Sequence, residues 1–161
     1  MSILLKAFRQ EAWDLLLGLA NQAVPFAPQE NAEWLEFRKA FDETKYYRRH
    51  YIAWQEEQPI GYGCVEQQSD DAECLRGFVV CGAERMSTGV GKELFERLLA
   101  DAKGMGAMHL WAREYEADDV ARRFFLGCGF QEAKRFTPPG EKPVVVYTYQ
   151  VSTENAAQHS A

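Results

Sequence analysis

With 161 residues, 47% hydrophobic and 26% charged, the chain has the composition of one globular domain that buries a core without disulfides or metal, not of a disordered or fibrous chain. A net charge of −6 weighs against nucleic acid and an anionic membrane surface as partners, and toward a cationic substrate. No apolar run approaches the roughly 18 residues that cross a bilayer, and Met1–Arg9 lacks the pattern of a signal peptide, so a cytoplasmic protein is expected.

Ile3 to Phe8 suits a first strand. Trp13, Leu16, Leu17 and Ala20 then recur at helical spacing until Pro25. A second helix is expected after Pro28, with Glu30 and Glu33 at the positive end of its dipole and Trp34, Phe37 and Phe41 as its apolar stripe. Tyr47–Gln55 and Ile60–Gln67 read as a hairpin turning at Gln58-Pro59, and the polar stretch Gln68–Asp71 leads to a buried strand from Cys74 to Cys81. From there Val90, Leu94, Leu98 and Ala102 repeat every four residues and Phe95 and Leu99 widen the stripe, while Lys92, Glu93, Glu96, Arg97 and Asp101 keep to the wet side. Gly104 and Gly106 end that helix. Met108–Arg113 is the next strand, Asp118 or Asp119 caps a short helix that Gly129 stops, and Val144–Val151 closes a last hairpin after the proline-rich loop 137–143. Residues 152–161 have no periodicity, so residues 1–151 are expected to form one domain and 152–161 a flexible tail. This element order predicts an α+β or α/β fold with a mixed sheet.

Cys64, Cys74, Cys81 and Cys128 show no C-x-x-C pairing, and His50, His109 and His159 are scattered, so the cysteines read as buried thiols and no metal site is expected.

The chemistry concentrates in two segments. Met86-Ser-Thr-Gly-Val-Gly-Lys92 follows the strand ending at Cys81 and opens the amphipathic helix, an arrangement suited to phosphate. A P-loop would need glycine at Met86 and Ser or Thr at Glu93, and a dinucleotide fingerprint would need glycine at Leu94. Some two dozen residues on stand Asp118, Ala121, Phe125, Gly129 and Phe130.

The first segment resembles the Q/R-x-x-G-x-G/A signature of the GCN5-related N-acetyltransferases (GNAT family), with Met86 at the Q/R position and Arg85 beside it. The second resembles that family's N-x-x-A-x-x-x-Y-x-x-x-G-F helix, with Asp118 in place of Asn and Phe125 in place of Tyr. The resemblance implies a three-layer α+β fold whose mixed, mainly antiparallel central sheet is flanked by helices. It also implies acetyl-CoA as co-substrate and direct transfer of acetyl to a primary amine of a small molecule or peptide. Backbone N–H groups of Val79, Val80 and Cys81 would pair with pantetheine and polarise the thioester carbonyl. Met86, Ser87, Thr88, Gly89, Val90, Gly91 and Lys92 would hold the pyrophosphate, and Asp118 and Phe125 would stand near the pantetheine arm. The N-terminal two-helix segment would roof the acceptor, and a homodimer is a further expectation because dimers are common in the family.

Two proton transfers need side chains. Glu66, Glu73 and Glu114 are candidate bases for the amine, by their expected strand-end positions. The family's tyrosine is often proposed to protonate the leaving thiolate; with Phe125 there, Tyr115 or water is the candidate acid. The alternative is a GNAT-fold module that binds acyl-CoA with weak chemistry or none.

Overall fold

Among the described residues, a seven-stranded sheet and one long amphipathic helix account for most of the architecture. The computed structural model describes residues 3–7, 48–67, 73–81 and 89–151. The expected two-helix segment over 13–41, the turn residues Met86, Ser87 and Thr88, and the tail after Val151 lie outside them.

The strands are β1 (Leu4–Ala7), β2 (Arg48–Gln55), β3 (Gln58–Glu66), β4 (Cys74–Cys81), β5 (His109–Tyr115), β6 (Gln131–Phe136) and β7 (Val144–Gln150), with helix α1 (Val90–Gly104) between β4 and β5 and helix α2 (Asp119–Gly127) between β5 and β6. They form one sheet in the order β1-β2-β3-β4-β5-β7-β6. Only β4 and β5 pair in parallel; the other five pairings are antiparallel. The fold is therefore α+β, with a mixed, mainly antiparallel sheet.

The β2–β3 hairpin turns two residues earlier than the sequence suggests. Its turn is Glu56-Glu57, with φ of 51° and 68°, and Pro59 already lies in β3 opposite Trp54. The register slips there, from Ala53↔Gly61 to Trp54↔Pro59, so Ile60 is the extra residue of a β-bulge. Proline is tolerated at a strand start beside a bulge, which is why it did not mark the turn.

Helix α1 buries Val90, Gly91, Leu94, Phe95, Leu98 and Ala102 against the sheet, the stripe expected from spacing. It lies close: a Cβ at Gly63 of β3 would come within 3.1 Å of Leu98 Cδ1. Its last turns are tethered to β2, where the Tyr51 hydroxyl donates to the Asp101 carboxylate and the Arg97 guanidinium lies 4.9 Å from the Tyr51 ring centre. Both helices end with a glycine of positive φ just past the cap, Gly106 at 87° and Gly129 at 102°. There the N–H of the following residue reaches back, Ala107 to Ala102 O at 2.9 Å and Phe130 to Phe125 O at 3.0 Å.

The two helices share one face of the sheet. The core cluster there joins Tyr51, Val65, Leu75, Leu94, Leu98, Leu110, Ala112, Phe125, Phe130 and Tyr147. Tilted and edge-on ring contacts run from Phe95 on α1 to Phe130 and Tyr149, each 5.5 Å away between centroids.

Non-glycine residues with positive φ at Glu56 and Glu57 hold the hairpin in a strained conformation. Glu57→Gly is expected to stabilise the protein by about 1 kcal/mol, read as a rise of roughly 2–4 °C in the thermal unfolding midpoint; an unchanged or lower midpoint counts against strain at this turn.

Candidate active site

The central feature is a fork between β4 and β5. Their parallel ladder holds only three registered pairs, Cys74↔His109, Leu75↔Leu110 and Arg76↔Trp111. Beyond that row β4 stays paired with β3 as far as Cys81↔Gly61, while β5 stays paired with β7 as far as Tyr115↔Val144. The strands thus part, and the β5-facing backbone edge of Gly77 to Cys81 has no strand ladder among the described residues. At the apex a Cβ on Gly77 would lie 4.0 Å from the Trp111 carbonyl oxygen. Val79, Val80 and Cys81 contribute that open backbone edge.

Helix α1 begins at the open end of the fork. Gly89 caps it with φ 87° and no side-chain cap. The first helical hydrogen bond is from Glu93 N–H to Gly89 O at 3.0 Å, so the N–H groups of Val90, Gly91 and Lys92 come before the ladder and have no acceptor inside the helix. Val90 and Gly91 are buried and Lys92 is exposed. A β4 edge of alternating N–H and C=O groups without a strand ladder, followed in the chain by a helix start, fits an elongated ligand with an anionic middle and an amide-bearing arm, which is the chemistry of coenzyme A.

Helix α2 starts beside the other prong. Asp118 caps it, accepting from the Ala121 N–H at 3.0 Å, so at least one of its carboxylate oxygens serves the helix. Phe125 is 3% exposed. Its ring stacks on Tyr147 at 5.4 Å and meets Phe124 and Phe130 edge-on at 5.4 and 5.1 Å. In such a setting a phenol would need a hydrogen-bond partner that a phenyl ring does not. Cys128, half-buried, has its thiol pushed up to about 11, by burial first, with Lys92 lowering and Glu96 raising it. It is protonated at neutral pH and is no nucleophile.

The candidate acids and bases fall at different places. Glu66, 2% exposed, ends β3 in register with Arg48 on β2 and Arg76 on β4, the row that closes the fork. Because Gly63 faces α1, the alternating positions Tyr62, Cys64 and Glu66 lie on the opposite face of the sheet. On that face Tyr62 shares a 2.6 Å hydrogen bond with His50 Nδ1. Glu73 is exposed just before β4, where its carbonyl accepts from Met108 and His109, at the paired end of the ladder. Glu114 alternates with Ala112, a core residue, and so shares the helix side of β5. Tyr115 and Arg113 lie on the other side with Glu66, along the β5 prong. The fork therefore gathers Glu66, Arg113 and Tyr115 on one face, and not Glu73 or Glu114. Arg113 carried no signal in the sequence, since a lone arginine on an alternating strand reads as solvated surface; its register beside the fork gives it meaning.

The model of the acetyltransferase (GNAT) family matches residues 7–130. No curated protein matches the chain in sequence. Among solved structures, a GNAT-family protein from Desulfovibrio desulfuricans superposes with a TM-score of 0.81 at 15% identity, over 94% of this chain and 100% of its own. The ribosomal-protein-S18-alanine N-acetyltransferase of Escherichia coli gives 0.72 at 14% identity, over 94% and 96%. A protein described as an acetyltransferase from Salmonella typhimurium, solved with its cofactor acetyl-CoA, gives 0.70 at 13% identity, over 94% and 95%. At these identities the likeness is one of fold.

Phe125 is enclosed by the rings of Phe124, Phe130 and Tyr147, so Phe125→Ala is expected to cost about 3–5 kcal/mol. Urea unfolding measures it, and a cost below about 1 kcal/mol would mean that the ring is not part of the core.

Proposed function

The chain belongs to the GNAT acetyltransferase family, and on that premise we propose that it is an N-acetyltransferase that moves acetyl from acetyl-CoA directly to a primary amine. The observation that carries this reading is the fork: a β4 edge without a ladder to β5 beyond Arg76, and a helix α1 whose first N–H groups have no acceptor inside the helix. Bound acetyl-CoA supplies the activated acyl group. Backbone N–H groups along Val79, Val80 and Cys81 hold the pantetheine arm and polarise the carbonyl, and those of Gly89 to Lys92 take the pyrophosphate, together with Met86, Ser87 and Thr88.

The acceptor arrives from the face opposite α1 and α2. An alkylamine is mostly protonated at neutral pH, so its proton has to leave before the nitrogen attacks. Glu66 is the base in this reading, acting directly or through water, because it is the buried carboxylate at the closed end of the fork. Tyr115, on the β5 prong, protonates the departing thiolate. That second transfer is the easier one, since a thiol pKa near 8.5 lies only about 1.5 units above neutrality. Phenylalanine at 125 favours a second reading, an acyl-CoA-binding module without turnover, because that position gives no proton.

Calorimetry with acetyl-CoA is expected to show saturable binding that weakens at least about 100-fold in Gly91→Glu, which sets a carboxylate among the helix-start donors. Absence of binding, or equal binding by the variant with its circular dichroism unchanged, would sink the acyl-CoA assignment. Release of CoA in the presence of a panel of physiological amines separates enzyme from binding module. For any amine turned over, Glu66→Gln is expected to lower kcat about 10²–10⁴-fold at unchanged acetyl-CoA affinity; full activity assigns the base elsewhere.

A further inference from the structure

Arg113 stands on the β5 prong one alternating position beyond Trp111, the last residue paired with β4, on the face of the sheet opposite α1 and α2 from which the proposed acceptor would approach. Two contacts hold it. Its guanidinium carbon is 5.3 Å from the centre of the Phe136 ring, and Nη2 donates to Glu141 Oε2 at 3.0 Å. A guanidinium has five N–H donors, and this bond uses one.

The carboxylate on Arg113 is delivered by a built turn. Glu141 N–H donates to Pro138 O at 3.0 Å, with Pro139 in the second position and Gly140 in the third at φ 74°, the type II pattern. That turn belongs to the loop joining β6 to β7, and it carries an acid to Arg113 on β5. Yet the pair is half-open to solvent, the side chains being 36% and 52% exposed, and a single exposed contact of this kind contributes little to stability. Phe136 supports the guanidinium separately, so Arg113 stays placed when Glu141 swings away. A carboxylate that took two parallel N–H bonds would displace one that takes a single bond.

We infer that Arg113 recognises the acceptor by binding a carboxylate on it, and that Glu141 occupies that place until the acceptor arrives. This inference rests on the acetyl transfer proposed above and narrows its substrate to an amine that also carries a carboxylate, an amino acid or a close relative, rather than a polyamine. In such a molecule two to four bonds separate amine from carboxylate, so anchoring the carboxylate on one prong brings the nitrogen over the gap beside it.

The test compares matched acceptors by CoA release: L-methionine with L-methioninamide, β-alanine with β-alaninamide, and spermidine as the polyamine. The unmodified protein is expected to favour the carboxylate member of each pair. Arg113→Met is expected to raise KM for that member about 10–100-fold, with the amide member and acetyl-CoA affinity changing less than about threefold. Comparing ratios between the two proteins cancels the lower amine pKa of the amides. Glu141→Gln, which removes the competing acid, is expected to lower KM for the carboxylate member a few-fold, and it decides alone if Arg113→Met does not fold. A ratio that Arg113→Met leaves unmoved, an unchanged KM in Glu141→Gln, or spermidine as the better acceptor overturns the inference while the acetyl transfer stands. If acetyl-CoA binds and no amine of any kind is acetylated, the proposed transfer fails and this inference falls with it.

Discussion

The constraint on which the rest depends is that the β4–β5 ladder stops after three rows. Parallel strands side by side normally continue to pair, because an unladdered edge leaves backbone donors and acceptors without partners. Here each strand has a stronger commitment on its other side. β5 is registered with β7 along its whole length from His109 to Tyr115, and β4 follows β3 to Cys81 while α1 packs over β3 and β4. The sheet is thus two half-sheets that share three rows and diverge, and the proposed site follows the line where they part.

Two half-sheets joined so briefly need a second bond. The aromatic cluster on the helix face provides it: Phe95 comes from α1, which rides on the first half, while Phe130, Tyr147 and Tyr149 belong to the second. Phe125 is the middle ring of this set, stacked on Tyr147 and edge-on to Phe130. A phenyl ring at the position where the resembled motif has tyrosine therefore fits the packing. The departure that looks like lost chemistry in the sequence is, in the fold, part of what holds the fork at its angle.

Helix α1 was legible almost to the residue, because a four-residue repeat bounded by glycines leaves one register open to it. The cap at Asp118 and the glycine after α2 were legible for the same reason, since caps are local chemistry. The β2–β3 turn was not. Glu56 and Glu57 carry no turn signature, and Pro59 two residues later carries one that the bulge absorbs. Register between strands distant in sequence is a tertiary relation, so neither the parting of β4 from β5 nor the pairing of Arg113 with Glu141 could be read from spacing. Alternation could have sorted part of the acid list. Glu114 keeps step with core residues Leu110 and Ala112, whereas Arg113 and Tyr115 keep the opposite step. The identity of the family, by contrast, lay in two short motifs whose order survives substitution at Met86, Asp118 and Phe125.

Gly63 makes the site a ruler. With no side chain on β3 at that point, Leu98 settles to within 3.1 Å of where a Cβ would be, and α1 rides low over the sheet. The height of the helix sets the distance from its first N–H groups to the apex of the fork at Gly77, and so the length of arm a ligand needs if its anionic head is gripped at one point and its reactive end is delivered at the other. A methyl group on β3 would press on the Leu98 side chain, which would have to give by a few tenths of an ångström. One hydrogen atom in the middle of a strand thereby helps set how low the helix sits over the sheet.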